Sequence, residues 1–370
     1  MRVVSLLAVA AGIRSVAGWG AVGHEIVATI AQIHLHPSVV EHLCDVLPHY
    51  ANCHLAPVAA WADNVRRFMH WSSTLHYVNG VDDHPSQHCV FGEKGWQGAP
   101  RANVLSAIQN TTEWINAGNP GEEEALKFLI HFLGDLHQPL HLTGREKGGN
   151  GVKVRFDGRV TNLHSVWDSR LIAKSLRTIP QNYTLPLPSK RVESALRGTI
   201  YDPYIRQIMH EGIFGRFADQ LNDWISCPAD IRQPSTPSSD LYQSEYSEQQ
   251  PLVLSNTEGA DAEITPPSNI PPTDNSLICP YAWAEPMHQL NCDIIWPPAL
   301  DELYVNTTRD LDDNDLESTF TYLELDTPEY AGAIKKAFLV EELLAKGGIR
   351  LAAILNYLYA TEDTVLLHLD

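Results

Sequence analysis

Apolar residues recur at intervals of three or four along much of the chain, the period of an amphipathic helix. Between residues 25 and 35, for example, Ile26, Ile30 and Ile33 fall near one helical face. Five further segments are candidate helices: residues 56–68, 102–114, 122–136, 163–173 and 328–359, the last broken near its middle by Gly347–Gly348. The sequence therefore predicts a mainly α fold.

Two departures from the helical pattern are expected. Residues 152–156 and 159–161 flank Asp157–Gly158, a strong signal for a small β-hairpin. From about residue 229 to 275 the chain is rich in Pro, Ser, Thr, Glu and Gln, a composition that cannot build a core. We expect a single compact helical domain over residues 19–370, interrupted by a long low-complexity insert that is disordered or a loop.

The first 18 residues have the pattern of a signal peptide. Arg2 precedes a short apolar run, and Val16-Ala17-Gly18 places small residues before a cleavage point. No later apolar run reaches the roughly 18–20 residues that a membrane span needs. The sequence predicts a secreted protein, cleaved before Trp19, without a membrane anchor and monomeric.

Cysteines and glycosylation sequons also favour export. No cysteine lies in a C-x-x-C pair, and six cysteines in an oxidising compartment predict three disulfides among fifteen connectivities. A Cys44–Cys53 bond would close a short local loop, and a Cys227–Cys279 bond would bracket the insert. The sequons lie at Asn110, Asn182, Asn256 and Asn306.

The acidic charge argues against tight duplex binding. The formal net charge is −19, and removal of Arg2 and Arg14 with the leader would make it −21. Nucleic-acid binders usually carry a basic face. A site that grips a phosphate through metal ions needs no such footprint, so the charge does not exclude hydrolysis of flexible strands.

Two segments carry the residues that suit a metal site. His131 and Asp135 lie four residues apart, hence on one helical face, and His141 follows after Pro139. His164 and Asp168 repeat the four-residue spacing. Imidazole nitrogen and carboxylate oxygen are ligands that zinc accepts. Two such pairs in one chain favour a metal site over ordinary surface hydrogen bonding.

These segments resemble the trinuclear zinc nucleases of fungi and plants, the S1/P1 type of single-strand nuclease, which are related to zinc phospholipase C. The most specific matches are residues 131–141 and Asn162-Leu-His164-x-x-Trp-Asp168. The remaining matches are Trp19-Gly-x-x-Gly-His24, Trp61-Ala-Asp63-x-x-Arg66, Leu75-His76-Tyr77, Gly148-Gly-Asn150 and Arg350-Leu-Ala-Ala-x-Leu-Asn.

The resemblance implies three zinc ions per chain. Trp19, through its free amine and carbonyl, and His24 would hold one ion. Asp63, His76 and His131 would hold a second, with Asp135 bridging these two. His141, His164 and Asp168 would hold the third. The resemblance also implies the Cys89–Cys292 disulfide.

The implied activity is endonucleolytic hydrolysis of single-stranded DNA and RNA to 5′-phosphate products, with 3′-nucleotidase activity left open. Arg66, three residues after Asp63, is placed to contact the phosphate. Tyr77 would stack on a base, and Asn79 stands where the family often carries an aspartate that reads a base edge. We also assign Asn150 to substrate binding.

Two other functions fit parts of the pattern. A zinc phospholipase C has a similar metal cluster and a mature N-terminal Trp. A secreted metal-binding glycoprotein without catalysis would share the leader and the sequons. The 131–141 segment and the complete set of ligand residues favour the nuclease.

Overall fold

Helices dominate the computed structural model, which describes residues 19–99, 101–228, 274–275, 277–302 and 322–361. The predicted leader and nearly all of the predicted insert lie outside the described residues. The α-helices are α1 (Ala21–Ile33), α2 (Pro37–Val46), α3 (Trp61–Val65), α4 (Val104–Asn116), α5 (Glu122–Leu136), α6 (Leu163–Ser165), α7 (Leu171–Arg177), α8 (Lys190–Ala195), α9 (Asp202–Gln207), α10 (Leu221–Ile225), α11 (Pro280–Leu290), α12 (Ala331–Ala337) and α13 (Leu339–Tyr359).

The centre of the fold is a layer of three long helices. α13 packs along α1, α5 lies against both, and α4 covers the other side of α5. α5 is buried from Ala125 to its last residue, although three glutamates occupy its first turn. The negative charges of these glutamates stabilise the helix, because its N-terminus is the positive end of the helix dipole. The helix that carries His131 and Asp135 is thus held from several sides.

The predicted break at Gly347–Gly348 is wrong, because α13 runs through both glycines. The break lies instead at Phe338, which adopts a left-handed conformation (φ 62°) between α12 and α13 with its side chain in the core. Gly348 serves close packing: a Cβ there would lie 2.5 Å from Ile30 Cγ2 and 3.0 Å from the Val27 carbonyl oxygen. The glycine lets α13 approach α1.

The predicted helix over residues 56–68 is also wrong as a single element. A 3-10 turn (Ala56–Val58) is followed by α3, with a change of direction at Ala60. At this break the Ala59 carbonyl oxygen accepts a hydrogen bond from Nδ1 of His131 on α5. Residues 163–177 form a continuous helical segment, but a π turn (Val166–Arg170) separates α6 from α7.

The predicted hairpin is confirmed. β1 (Lys153–Phe156) pairs with β2 (Arg159–Asn162) in an antiparallel register that sets Phe156 opposite Arg159. Asp157 (φ 53°) and Gly158 (φ 68°) form the turn, and left-handed conformations at both positions are what a two-residue hairpin loop of this type requires.

Three disulfides tie peripheral segments to the helices. They join Cys44 to Cys53, Cys89 to Cys292 and Cys227 to Cys279, the pairs that were predicted. Cys227 and Cys279 bracket the predicted insert at its base. Among the described residues, no helix combines the length and apolar character that crossing a bilayer requires.

The close contact of α1 with α13 makes a prediction about stability. Gly348→Ala should lower the free energy of unfolding by about 1–3 kcal/mol, because the added methyl group overpacks against Ile30. Gly332→Ala is the matched control: its Cβ would meet nothing closer than 3.5 Å, and alanine favours the helix by roughly 0.5–1 kcal/mol. Urea unfolding followed by circular dichroism measures both. Equal stability of the two variants would contradict the packing role of Gly348.

Candidate metal centre

Eight predicted ligand side chains converge in the interior of the fold, although they come from distant parts of the sequence. α1, α3, α5 and α6 contribute most of them, and the 3-10 turns His70–His76 and Pro139–Leu142 and the π turn supply the rest. All are buried except Asp63, whose side chain is 15% exposed. The converging residues are His24, Asp63, His76, His131, Asp135, His141, His164 and Asp168.

Asp135 lies at the middle of this cluster. Its Oδ2 is 2.9 Å from Nδ1 of His76 and 3.3 Å from Nε2 of His131. Its Oδ1 is 3.3 Å from Nε2 of His24 and 3.5 Å from Nδ1 of His141. A single carboxylate therefore faces four imidazoles, which is the position expected of a group shared between cations.

Asp63 closes the cluster on the side nearest solvent. Its Oδ1 lies 3.7 Å from Nε2 of His131 and 3.9 Å from Nδ1 of His76. The rings of His24 and His131 stack with centroids 3.8 Å apart. Arg66, one turn along from Asp63, places Nη1 4.0 Å from the same Oδ1. The guanidinium is thus at the edge of the cluster.

His141, His164 and Asp168 form a second group beside the first. Nε2 of His164 is 3.0 Å from Oδ2 of Asp168, and the rings of His141 and His164 stack at 5.1 Å. The side chain of Gln138 links Asp168 to the 3-10 turn that carries His141: it accepts a hydrogen bond from the Leu140 amide and donates one to Oδ1 of Asp168. The lone-pair atoms of the three residues all lie within 4.8 Å of one another.

Backbone carbonyl groups orient three of the imidazoles. A carbonyl oxygen only accepts, so the ring nitrogen facing it must carry the proton. Nδ1 therefore donates at 2.6–2.7 Å in three pairs: His131 to Ala59, His141 to His76 and His164 to Gly148. The Nε2 of each ring faces the cluster and is the nitrogen left to bind a cation. Histidine ligands of metal ions commonly show this arrangement.

Several buried donor and acceptor atoms of the cluster have no hydrogen-bond partner within the described part of the chain. An unsatisfied buried polar atom costs about 1–3 kcal/mol. The atoms are Nδ1 and Nε2 of His24, Oδ1 of Asp63, Nε2 of His76, Oδ1 of Asp135, Nε2 of His141, Nε2 of His164 and Oδ2 of Asp168. Such a concentration suits cations that bind these lone pairs.

His137 shows the contrast. Its Nδ1 donates to the Leu133 carbonyl at 2.6 Å, and its Nε2 accepts from Nη1 of Arg350 at 2.8 Å. Burial and then the Arg350 charge hold the pKa of His137 well below its usual range. Both ring nitrogens are used, so this histidine has no lone pair to offer.

The two fully buried carboxylates of the cluster differ in the direction of their pKa shifts. Burial raises the pKa of Asp135, but the neighbouring imidazoles of His131 and His141 outweigh burial and hold that pKa well below its usual range. For Asp168, burial outweighs the attraction of His164 and raises the pKa to about 6. The pKa values of the two carboxylates are thus shifted in opposite directions.

Trp19 lies beside the second group. The indole is fully buried, and the amide of Gly20 donates to the Asp168 carbonyl at 3.0 Å. A Cβ at Gly23 would lie 2.8 Å from Cβ of Trp19, so this tryptophan packs back onto the first turn of α1. The chain at residue 19 is thus held on the first turn of α1, which carries His24, and beside Asp168, a residue that the resemblance assigns to a different ion.

Several residues that position the ligands were not predicted from the sequence. Gly134 is one: a Cβ there would lie 2.3 Å from Nδ1 of His24, so only glycine lets α1 bring that imidazole to Asp135. Gln138 is another, and the Ala59 carbonyl is a third. A glycine and a glutamine next to ligand residues carry some signal, whereas a carbonyl acceptor carries none.

The predicted substrate-binding residues divide into two kinds. Tyr77 follows His76 directly and is 37% exposed. Asn79 lies two residues further on, and its side chain packs against Gly144. A Cβ added at Gly144 would lie 3.0 Å from Cβ and Cγ of Asn79. Asn150 instead donates to the Lys147 carbonyl at 2.9 Å, so its amide is used within its own loop.

Two of the predicted glycosylation sites can be located. Asn182 is exposed, and Asn110 is half-buried on α4. Asn256 and Asn306 lie outside the described residues.

The donor set fits zinc. It offers neutral imidazole nitrogens and carboxylate oxygens in closely spaced groups, which are ligands that zinc binds. Calcium and magnesium instead prefer sites made of oxygen ligands alone. The unpartnered buried atoms described above are the structural observation that supports this fit.

Comparisons with known proteins agree with the geometry. The family model described as S1/P1 nuclease matches residues 19–360. Endonuclease 2 of Arabidopsis thaliana is 34% identical over 242 residues, covering 62% of this chain and 73% of the plant protein. Nuclease S1 of Aspergillus oryzae is 39% identical over 158 residues, which are 42% of this chain and 54% of the fungal protein.

Nuclease P1 of Penicillium citrinum is 37% identical over 161 residues, again 42% of this chain, and 59% of that protein. The alignments with the two fungal proteins thus span little more than half of their length. The family model spans nearly the whole described chain, including every residue of the cluster. The chain belongs to the S1/P1 nuclease family.

Proposed function

We propose that this chain is a secreted zinc-dependent endonuclease that hydrolyses single-stranded DNA and RNA and leaves 5′-phosphate ends. The observation that carries the proposal is the convergence of buried, unpartnered imidazole and carboxylate atoms around Asp135. Family membership supports the same reaction class.

Three zinc ions fit the donor groups. We assign one ion to Trp19 and His24, and a second to Asp63, His76 and His131, with Asp135 shared between them. His141, His164 and Asp168 would hold the third. The contacts of Asp135 with four imidazoles support its shared role. Ligation by Trp19 requires a free amine, so removal of the predicted leader would complete the site.

Zinc bound in such groups acts as a Lewis acid toward the phosphodiester and lowers the pKa of water to near neutrality. The protein's own contribution is to hold the donors without further adjustment. The carbonyl groups at Ala59, His76 and Gly148 fix three rings, and Gln138 fixes Asp168. Arg66, with Nη1 4.0 Å from Asp63, is placed to donate hydrogen bonds to a phosphate oxygen at the edge of the site.

Preference for single strands follows from the position of Tyr77. Its partly exposed ring directly follows the ligand His76, so a base can stack on it only when that base has left a duplex. Stacking on an aromatic ring is worth roughly 1–3 kcal/mol per base and tolerates any base. Asn79 offers both a donor and an acceptor to a base edge.

The function is tested by hydrolysis assays on the protein purified with zinc. Denatured DNA and RNA should be cut, and end-labelling should find 5′-phosphate termini. Chelation of zinc should abolish cutting, and added zinc should restore it. A 3′-AMP arm measures 3′-nucleotidase activity, and a lecithin arm measures phospholipase C activity. Hydrolysis of lecithin without cleavage of either nucleic acid would overturn the proposal.

The shared role of Asp135 predicts a difference between two carboxylates. Asp135→Asn should lose more than one zinc ion per chain and lower kcat/KM by about a hundredfold or more, because an amide is a poor bridge between cations. Asp168→Asn should lose one zinc ion at most and retain more activity. Zinc is measured by inductively coupled plasma mass spectrometry on dialysed protein. Equal zinc contents in the two variants would contradict the bridging role.

The contact of Gly134 with His24 predicts a metal defect without a folding defect. In Gly134→Ala, the added methyl group displaces the His24 ring, while alanine itself favours helix α5. We expect loss of about one zinc ion and a fall in kcat/KM of on the order of tenfold to a hundredfold. Far-ultraviolet circular dichroism should stay unchanged. Full zinc occupancy in this variant would show that His24 does not require the glycine.

A further inference from the structure

The connection between α3 and His76 exposes aromatic and cationic side chains beside the metal centre. Phe68 is 73% exposed and Trp71 is 40% exposed. Tyr77, the residue already assigned to base stacking, follows at 37%. A single exposed aromatic residue needs no explanation, but three within ten residues of one chain segment are unusual.

The charge of this segment differs from that of the chain. No acidic residue lies between Asp63 and Asp82, although the whole chain carries 45 acidic residues and a net charge of −19. Arg66 and Arg67 stand next to each other in this interval. The region next to the centre is therefore locally basic on an otherwise acidic protein, and a polyanion would meet it favourably.

Arg67 and Phe68 are already arranged as a pair. The guanidinium carbon of Arg67 lies 4.7 Å from the centroid of the Phe68 ring, a cation–π contact. With 73% of Phe68 exposed, Arg67 covers only part of the ring. The remaining surface is available to a flat partner, and the arginine keeps donors for a phosphate group.

The pair is held in place by the turn that presents it. The amides of Phe68 and Met69 donate to the Val65 carbonyl at 2.7 and 2.8 Å, and the Ser72 hydroxyl donates to the Met69 carbonyl at 2.8 Å. Trp71 packs on Phe128 of α5 with ring centroids 5.5 Å apart. The segment is thus anchored to the helix that carries His131 and Asp135.

The short chain path places the pair near the scissile position. Phe68 lies five residues after Asp63 and eight before His76, and both of those residues belong to the centre. Arg66, two residues before Phe68, reaches within 4.0 Å of Asp63. A strand whose phosphate occupies the centre therefore passes close to this turn.

We propose that Arg67 and Phe68 form a second strand-binding position: Phe68 stacks on a base outside the dinucleotide that is cut, and Arg67 binds a backbone phosphate. This inference rests on the proposed nuclease function and adds to it a preference for longer strands. The chemistry recognised is that of a flexible polynucleotide, with aromatic bases and regularly spaced phosphates.

The test compares two substrates, a thymidine dinucleotide and a strand of ten thymidines. Phe68→Ala should lower kcat/KM for the ten-nucleotide strand about fivefold to a hundredfold, because one stacked base is lost. Its kcat/KM for the dinucleotide should stay within about twofold of the wild type. Phe68→Trp should retain activity on both substrates, and Arg67→Gln should reduce the slope of log KM against log salt by about 0.7 for the long strand.

Tyr50→Ala is the matched control, since Tyr50 is also exposed, at 65%, but lies in the 3-10 turn His49–Ala51 after α2. It should leave both substrates unaffected. An unchanged kcat/KM of Phe68→Ala on the long strand would overturn the proposal, as would an equal loss on both substrates. If the wild-type protein cuts neither substrate, the proposed function fails. The strand-binding position is then judged by fluorescence anisotropy, where an equal Kd of Phe68→Ala and wild type for the ten-nucleotide strand would refute it.

Discussion

Burial of the Asp135 carboxylate among four imidazoles is the constraint to which the rest of the centre responds. A carboxylate without water needs opposite charge or hydrogen bonds, and leaving it unpaired would cost several kcal/mol. Its neighbours do not satisfy it fully, since Oδ1 has no hydrogen-bond partner in the part of the chain that the structure describes. Nδ1 of His24, Nε2 of His76 and Nε2 of His141 are likewise without a hydrogen-bond partner there, and each such buried atom costs about 1–3 kcal/mol. Cations bound to these lone pairs would resolve this conflict.

Irregularities of the helices serve the same centre. The chain breaks between Val58 and α3 where the Ala59 carbonyl accepts from His131. A π turn interrupts the helix at Asp168. π turns of this kind often occur at functional sites because they redirect a side chain. In a regular helix the Ala59 carbonyl would accept a hydrogen bond from the backbone of the next turn. Nδ1 of His131 would then have lost the acceptor that holds its proton on that nitrogen. The local departures from ideal structure are therefore part of how the donors are oriented.

The sequence predicted best what depends on local pattern. α5 begins and ends where its periodicity indicates, and Asp157–Gly158 specifies the hairpin turn. The four-residue spacing of His131 with Asp135 and of His164 with Asp168 indicated a metal site locally. The remaining ligands, their grouping around three ions and the Cys89–Cys292 pair came from family resemblance, because residues so far apart share no local signal. Gly347–Gly348 misled, since a glycine pair resembles a helix end and here marks the contact of α13 with α1. The carbonyl groups that orient the imidazoles were beyond prediction, as every residue has one.

An acidic protein can bind a polyanionic substrate if its negative charges lie away from the binding site. Screening at physiological salt confines exposed charges to a range of about 8 Å, so distant carboxylates matter little at the site. What matters is the charge within that range. In the segment that follows Asp63 the protein lacks acidic residues from 64 to 81 and presents Arg66 and Arg67, while the buried carboxylates face inward toward the cations they would hold. Negative charge elsewhere on the protein opposes nonspecific binding to duplexes but does not weaken binding of a single flexible strand at the site. An acidic surface is thus compatible with a nuclease that releases its products.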